Sequence, residues 1–247
     1  MRDTQIIMGM PITVEIVGDD AGATLAAVFS YFRDVDAQFS PYKADSEVSA
    51  MNRGEIAPDQ ASPEMKEVLS LSLLTRHETR GYFDVRRPDG RFDPSGLVKG
   101  WAIRNAARRV EAEEIADYFI EAGGDVQCRG VNADGEPWRV GVRHPFDAGK
   151  IVKVIAPGDR GVATSGNYVR GAHIYDPATG QQASDEVASL TVIGPDVYEA
   201  DRFATAAYAM GRDGIQFIEA AYGLEGYAID RDGNAIMTSG FRSFVVQ

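Results

Sequence analysis

The stretch "EADRFATAA", residues 199–207, places an acid, Asp201, and a hydroxyl, Thr205, among small apolar residues. Side chains four residues apart lie on one face of an α-helix, so a helix here presents both oxygen-bearing groups together. The alanines at 204, 206 and 207 leave space beside that face. The stretch therefore predicts a helix that carries a small polar site on one side.

Composition limits what surrounds this helix. The chain has 247 residues, enough to bury a large core, and we expect one domain over residues 1–247 with two lobes. The single cysteine, Cys128, excludes an internal disulfide and a zinc site built from several thiolates. A formal net charge of −12 argues against a nucleic-acid partner. We see no signal peptide and no membrane span, and expect a cytoplasmic protein.

Hydrophobic periodicity predicts helices in the first half of the chain. "PITVEIV", residues 11–17, alternates as a strand does, and Leu25, Val28, Phe29, Phe32 and Val35 then recur at helical spacing. A second helix is expected over 62–74, capped by Ser62 and with Met65, Val68, Leu69 and Leu73 on one buried face. A third helix is expected from Leu97 to about Glu114.

Short apolar stretches dominate the second half. Strands are predicted within residues 117–125, 137–145, 150–158, 172–180 and 188–195. Two helices follow, ending near Gly211 and Gly223, and a hairpin turns at Asp232 and Gly233. This order indicates an α+β fold with mixed or antiparallel sheets and packed helices.

Three motifs carry candidate chemistry. "GRFDPSGLVKGWAIRNAARRV", from Gly90, puts Asp93 before a turn that opens a helix with Lys99 in its first turn. Free amides and a lysine suit a phosphate there, although an ordinary loop–helix junction gives the same pattern. The glycine pair of "IEAGGDVQCRG" either lets a ligand approach the backbone or turns a hairpin, and the hairpin is the better interpretation.

The third motif, "GVATSGNYVRGAHIYDPATGQQA", starts at Gly161 and contains His173. A histidine titrates near neutral pH and can serve as a general base. A hydrogen-bonded structural histidine is the more common case, so the residues alone leave both roles open. We assign no chemistry to His77 or His144.

Seven segments in chain order resemble the ApbE-like family, the FAD:protein FMN transferases. These segments are "MGMPITV", "SPYKADSEVSAMN", "GYFDV", "FDPSGLVKGWA", "EAGGD", "ATSGNYVRGAHIYDPATG" and "EADRFATAAYAMG". The resemblance implies an enzyme that splits FAD at its pyrophosphate with Mg2+ and releases AMP. It also implies that FMN is joined through a phosphoester to a threonine or serine of an acceptor protein.

By the same resemblance, several positions acquire roles. Asp201 and Thr205 match the family's metal ligands, and the Gly96 position contributes through its carbonyl because glycine has no side chain. His173 matches the histidine implicated in deprotonating the acceptor hydroxyl. The positions that match the family's surroundings of FAD are Met10, Tyr42, Phe83, Asp84, Asp93, Lys99 and Ile174.

Two other functions stay open from the sequence. One is hydrolysis of FAD to FMN and AMP at the same site, and the other is a protein that binds or carries a flavin without chemistry. Retention of His173, Asp201 and Thr205 favours the enzyme, because a carrier has little use for a metal beside the pyrophosphate.

Overall fold

The computed structural model describes residues 1–18, 21–87, 89–166 and 186–246. Its strands are β1 (Arg2–Ile7), β2 (Met10–Ile16), β3 (Tyr118–Ala122), β4 (Asp125–Arg129), β5 (Val140–His144), β6 (Asp147–Ile155), β7 (Gly161–Gly166), β8 (Val187–Gly194), β9 (Glu225–Asp230) and β10 (Ala235–Met237). Its α-helices are α1 (Ala21–Phe39), α2 (Glu47–Asn52), α3 (Pro63–Glu78), α4 (Ser95–Ala112), α5 (Val197–Ala209) and α6 (Gly214–Ala220). Among the described helices, none combines the length and apolar composition that crossing a membrane requires.

Eight of these strands form one sheet in the order β1-β2-β3-β4-β7-β8-β9-β10, and neighbouring strands run antiparallel. Strands β5 and β6 pair with each other as a separate hairpin. The chain therefore leaves the sheet after β4, forms the hairpin, and returns as β7 to pair with β4. The α+β expectation is confirmed, with the described ladders antiparallel.

Strand alternation separates the two faces of this sheet. On β4, Val126 and Cys128 pack into a hydrophobic cluster with the β5–β6 hairpin and the C-terminal segment. Asp125 and Gln127 point to the opposite face, since successive side chains alternate across a strand. That face carries the helices, because the Gln127 side-chain oxygen accepts a 2.9 Å hydrogen bond from Val197 N at the start of α5.

Two apolar clusters lie under the helices. One joins α1, α3 and α4 to β2 and β3, with Phe32, Trp101 and Ile120 buried in it. The other joins α5 and α6 to β8 and β9 around Leu190 and Tyr208. Helices α4 and α5 also pack directly on each other. The expectation of one domain with two lobes over 1–247 stays a prediction.

Several local expectations are confirmed. Helix α1 buries Leu25, Val28, Phe29, Phe32 and Val35, and the Ser62 hydroxyl caps α3 by accepting from Met65 N at 3.2 Å. The glycine pair forms the two-residue turn of the hairpin made by β3 and β4, with φ of 59° at Gly123 and 96° at Gly124. Positive φ at both central positions is the conformation that glycine adopts without steric cost.

The buried face assigned to α3 is partly wrong. Leu73 is 67% exposed, whereas Met65, Val68, Ser72 and Thr75 are buried. The Ser72 and Thr75 hydroxyls donate to helix carbonyls, Val68 O and Leu71 O, so burial leaves neither hydroxyl without a partner. An apolar pattern alone could not identify this polar part of the face.

Two further differences concern strands. Strands β1 and β7 are not predicted from the sequence. Strand β1 pairs only with β2 and is mostly exposed, so it lacks the alternation that marks a half-buried strand. Strand β7 is short and built from small residues, and pairing with β4 and β8 defines it. The strand expected within 172–180 lies outside the described residues.

Candidate active site

Asp201 lies where α5 crosses α4. Its Oδ2 accepts a hydrogen bond from Gly100 N at 2.9 Å, and the residue is 3% exposed. A Cβ added to Gly100 would lie 2.8 Å from Asp201 Cβ and 3.0 Å from Val197 O, closer than packed atoms tolerate. Glycine at position 100 is therefore what lets the carboxylate reach the backbone of α4.

A lysine and a second carboxylate complete this buried group, which we call the acid–lysine cluster: Lys99, Asp125 and Asp201. Lys99 Nζ lies 2.6 Å from Asp125 Oδ2 and 3.3 Å from Asp201 Oδ1. The Lys99 side chain is 14% exposed and that of Asp125 is 1% exposed. Two carboxylates thus share one ammonium group in a largely water-free place.

Burial dominates the ionisation of Asp201. The pKa of its carboxyl is raised from 3.8 to about 7, with loss of hydration as the largest cause and the Asp125 charge acting in the same direction. Lys99 and the Gly100 N–H act in the opposite direction and do not offset the burial. The carboxylate therefore has less positive charge around it than its burial requires.

Thr205 follows Asp201 by about one helical turn, as the sequence predicts. Its Oγ1 is 3.5 Å from Ser165 Oγ at the end of β7, and its methyl group faces Gly96 on α4. A Cβ on Gly96 would lie 3.9 Å from that methyl and 3.5 Å from the Phe83 ring. Hydroxyl, carboxylate and glycine backbone therefore meet along the α4–α5 contact.

Strand β7, which carries Ser165, also contacts the acid–lysine cluster. Thr164 N donates to Asp125 Oδ1 at 3.1 Å, so the Asp125 side chain bonds the strand just beyond the paired residues of β4 and β7. Asp125 therefore contacts both β7 and Lys99 of α4. It joins three elements that are far apart in sequence.

The loop before α4 holds the next group of predicted residues. Phe83 is 3% exposed and packs in the core. Asp84 Oδ1 accepts from Arg86 N at 2.8 Å, and its Oδ2 lies 3.1 Å from Arg76 Nε. Asp93 Oδ1 accepts from Ser95 N at 3.1 Å, which occupies an amide in the first turn of α4. These two carboxylates order the loop.

The remaining predicted residues lie at the edges of the structure or beyond what it describes. Tyr42 is 91% exposed in the loop between α1 and α2, and Met10 is half-buried at the start of β2. His173 and Ile174 fall in residues 167–185, outside the described part. The structure thus brings Gly96, Lys99, Asp201 and Thr205 together, and the roles assigned to all of the predicted site residues stay predictions.

Three residues of this site were missed from the sequence: Gly100, Asp125 and Ser165. Asp125 follows the glycine pair directly, and an acid at the start of a strand after a tight turn was the available signal. Ser165 and Gly100 lie within two of the quoted segments, "ATSGNYVRGAHIYDPATG" and "FDPSGLVKGWA". Within the described ranges, no group of three or more His, Cys, Asp or Glu side chains could hold a metal.

Arg202, next to Asp201, fixes the orientation of α5. It is 5% exposed, pairs with Glu199 at 2.5 Å and with Glu78 of α3, and its guanidinium lies 4.1 Å from the Phe203 ring centre. A buried arginine needs such partners. These contacts attach α5 to α3 and limit rotation of the helix face that carries Asp201.

An open cavity of about 650 Å3 lies elsewhere, and none of the acid–lysine cluster lines it. Its lining residues are Lys153, Met237, Thr238, Ser239, Arg242 and Val245. The two hydroxyls already donate to Glu225 and Glu219. Because these polar groups are used within the protein, we locate the candidate site at the buried charges instead.

The structure is thus an α+β protein whose central helix pair encloses a buried acid–lysine site. The model of the ApbE family matches residues 8–87 and 85–229, and the chain belongs to that family. The resemblance noted in the sequence is confirmed.

Individual relatives agree with this membership. A protein of Escherichia coli K12 named FAD:protein FMN transferase is 32% identical over 196 residues, covering 74% of this chain and 56% of that protein. One of Vibrio cholerae serotype O1 with the same name is 36% identical over 135 residues, covering 51% of this chain and 40% of that protein. The chain spans about half the length of these curated relatives.

Solved structures agree in fold. The flavin transferase ApbE from Vibrio cholerae matches with a TM-score of 0.86 at 26% identity, over 99% of this chain and 98% of that one. The ApbE protein from Thermotoga maritima matches with a TM-score of 0.86 at 21% identity, over 100% and 99% of the two chains. The second likeness establishes the fold alone.

Proposed function

We propose that this protein transfers FMN from FAD to a threonine or serine hydroxyl of an acceptor protein and releases AMP. Family membership and the shared name of its relatives support this activity. The observation that carries the proposal is the position of buried Asp201 and of Thr205 about one helical turn apart on α5, both against the glycine-lined side of α4. A flavin carrier would gain nothing from burying a carboxylate at this cost.

The donor set fits a bound Mg2+. Asp201 and Thr205 supply a carboxylate and a hydroxyl, and the Gly96 carbonyl is the third oxygen that we assign. The raised pKa of Asp201 indicates too little positive charge near the carboxylate, as expected where a cation belongs. When bound, Mg2+ supplies positive charge that stabilises the charge developing on the diphosphate.

The reaction we propose is a phosphoryl-type substitution. The acceptor hydroxyl oxygen forms a bond to the FMN phosphorus of FAD, and the bond from that phosphorus to the bridging oxygen breaks. The bridging oxygen leaves with AMP, and the hydroxyl proton passes to His173 as general base. The base role rests on the resemblance, with the support that β7, which precedes His173, ends beside Thr205.

The remaining residues would bind the flavin nucleotide. Lys99 supplies a positive charge for the diphosphate, and the exposed Tyr42 ring can stack on a flavin or adenine ring. The other residues that we propose to contact FAD are Met10, Phe83, Asp84, Asp93 and Ile174. We propose a cytoplasmic location, which a chain with a single cysteine suits.

One incubation separates this activity from its alternatives. The protein is mixed with FAD, MgCl2 and a candidate acceptor carrying a target threonine, and AMP and the acceptor mass are measured. We expect AMP and an acceptor heavier by one FMN group, and neither product with EDTA or with Asp201→Asn. Asp134→Asn, a change at an exposed carboxylate, is the matched control and should keep parental activity.

Each other result contradicts a specific part of the proposal. AMP and free FMN with no adduct on any acceptor tested identify a hydrolase. Tight FAD binding with no AMP identifies a carrier. Adduct formation that survives both EDTA and Asp201→Asn contradicts the metal assignment.

A further inference from the structure

Asp125 has no role in the function proposed above, yet it is among the most buried carboxylates described, at 1% exposure. Its two carboxylate oxygens have different partners. Oδ1 accepts from Thr164 N at 3.1 Å, which fixes the side chain to β7, and Oδ2 lies 2.6 Å from Lys99 Nζ. The side chain is thus anchored at one oxygen and holds an ammonium group with the other.

The Lys99 ammonium lies closer to one carboxylate than to the other. Its Nζ is 0.7 Å closer to Asp125 Oδ2 than to Asp201 Oδ1, from distances of 2.6 and 3.3 Å. Because Asp201 is the carboxylate that we assign to the metal, the Lys99 ammonium now occupies part of its coordinating side. A cation that binds Asp201 competes with this ammonium, whereas the contact with Asp125 does not involve the metal ligand.

We infer that Asp125 is a positioning residue that holds Lys99 beside Asp201 and thereby sets the affinity of the site for a divalent cation. This inference rests on the proposed function. With Asp125 in place, Lys99 moves off Asp201 when the cation arrives and stays at the site, where its ammonium is available to the substrate diphosphate. Without Asp125, Lys99 pairs with Asp201 alone and opposes the cation.

The formal charge of the cluster predicts changes in cation affinity of opposite sign for two variants. The cluster carries two carboxylates and one ammonium, a formal charge of −1 that becomes 0 in Asp125→Asn and −2 in Lys99→Met. The affinity for a divalent cation should therefore fall about tenfold or more in Asp125→Asn and rise in Lys99→Met. A tenfold loss is usual when a residue that orients a metal ligand is replaced. If Asp125 had a purely structural role, the change in cation affinity would not have opposite signs in Asp125→Asn and Lys99→Met.

Cation binding is measured with Mn2+ in the absence of FAD. Bound Mn2+ is detected as a loss of the electron paramagnetic resonance signal of the free ion, and Mg2+ is added as a competitor. Asn keeps an oxygen to accept from Thr164 N, and Asp125→Glu, which restores the charge, should recover most of the affinity. In the Lys99→Met background, Asp125→Asn should weaken binding less than it does alone, because the two residues act together. Lys99→Gln replaces Lys99→Met if the latter does not fold.

An exposed pair provides the matched control. Lys150 Nζ lies 3.4 Å from Asp147 Oδ2 at the surface, and Asp147→Asn and Lys150→Met should leave Mn2+ affinity unchanged. If Asp125→Asn binds Mn2+ like the parent while Asp201→Asn does not bind it, the inference is wrong and the proposed function stands. If the parent binds no Mn2+, or Asp201→Asn binds it equally well, the inference and the assignment of Asp201 as a metal ligand are both overturned.

Discussion

The buried charge of Asp201 should make the protein less stable than its neutral counterpart, Asp201→Asn. In the unfolded chain an aspartate ionises with a pKa near 3.8, whereas burial raises the pKa of Asp201 to about 7 in the folded protein. Between these values the folded state binds more protons than the unfolded state. The free energy of unfolding contributed by this group therefore falls as pH rises from about 4 to 7, and the loss is complete above that range.

The magnitude follows from the size of the shift. About three pKa units at roughly 1.4 kcal/mol each set an upper limit of about 4 kcal/mol at pH 8. Asparagine avoids this cost, still accepts from Gly100 N, and leaves Lys99 paired with Asp125 at 2.6 Å. We expect Asp201→Asn to be more stable than the parent by roughly 1 to 4 kcal/mol at pH 8, with about 2–4 °C in Tm for each kcal/mol.

The assay is urea unfolding followed by circular dichroism from pH 4 to pH 8, with EDTA present and FAD absent. The quantity of interest is the difference in unfolding free energy between variant and parent, because titrations elsewhere in the chain cancel in it. Asp134→Asn, at an exposed turn, should show a flat difference. A flat profile for Asp201→Asn, or a variant less stable than the parent at pH 8, would refute the argument and mean that Lys99 and Gly100 compensate the burial.

Three further changes test other parts of the site. Lys99→Glu should weaken FAD binding more than riboflavin binding in fluorescence titrations, because riboflavin has no phosphate; equal losses would place Lys99 away from the diphosphate. His173→Ala should lower FMN transfer about 100- to 10,000-fold with FAD binding retained, and transfer at the parental rate would exclude the base role. Gly100→Ala should lower stability by about 1–3 kcal/mol in thermal unfolding, because its Cβ would lie 2.8 Å from Asp201 Cβ. The control Gly22→Ala meets only Met1 at 3.8 Å and should not destabilise; equal effects would contradict the close-approach argument.

Local signals predicted much of the fold. Helix α1 buries the apolar face that its sequence predicts, α3 begins at a serine cap, and the glycine pair forms the turn of the β3–β4 hairpin. These features depend on residues near one another in sequence, so propensity and periodicity describe them well. Strand β7 differs, because its small residues become a strand through pairing with β4 and β8.

The site divides in the same way. Asp201 and Thr205 could be paired from the sequence because one helix carries both, and helical spacing places them on one face. Asp125 and Ser165 could not, since they reach the site from the ends of two strands. Lys99 was expected near a phosphate, but its buried partners, two carboxylates, depend on how α4, α5 and β4 pack.

The order of the strands explains why those partners meet. Strands β4 and β7 are neighbours although the β5–β6 hairpin lies between them in sequence, because the hairpin pairs separately and packs with the opposite face of the sheet. With the hairpin out of the sheet, Thr164 reaches Asp125, and Ser165 reaches Thr205. A hairpin inserted between β4 and β7 would separate Thr164 from Asp125 by two strands, nearly 10 Å at the usual strand spacing. The position of a hairpin remote from the chemistry is therefore a condition for the acid–lysine cluster to contact the strand that leads to His173.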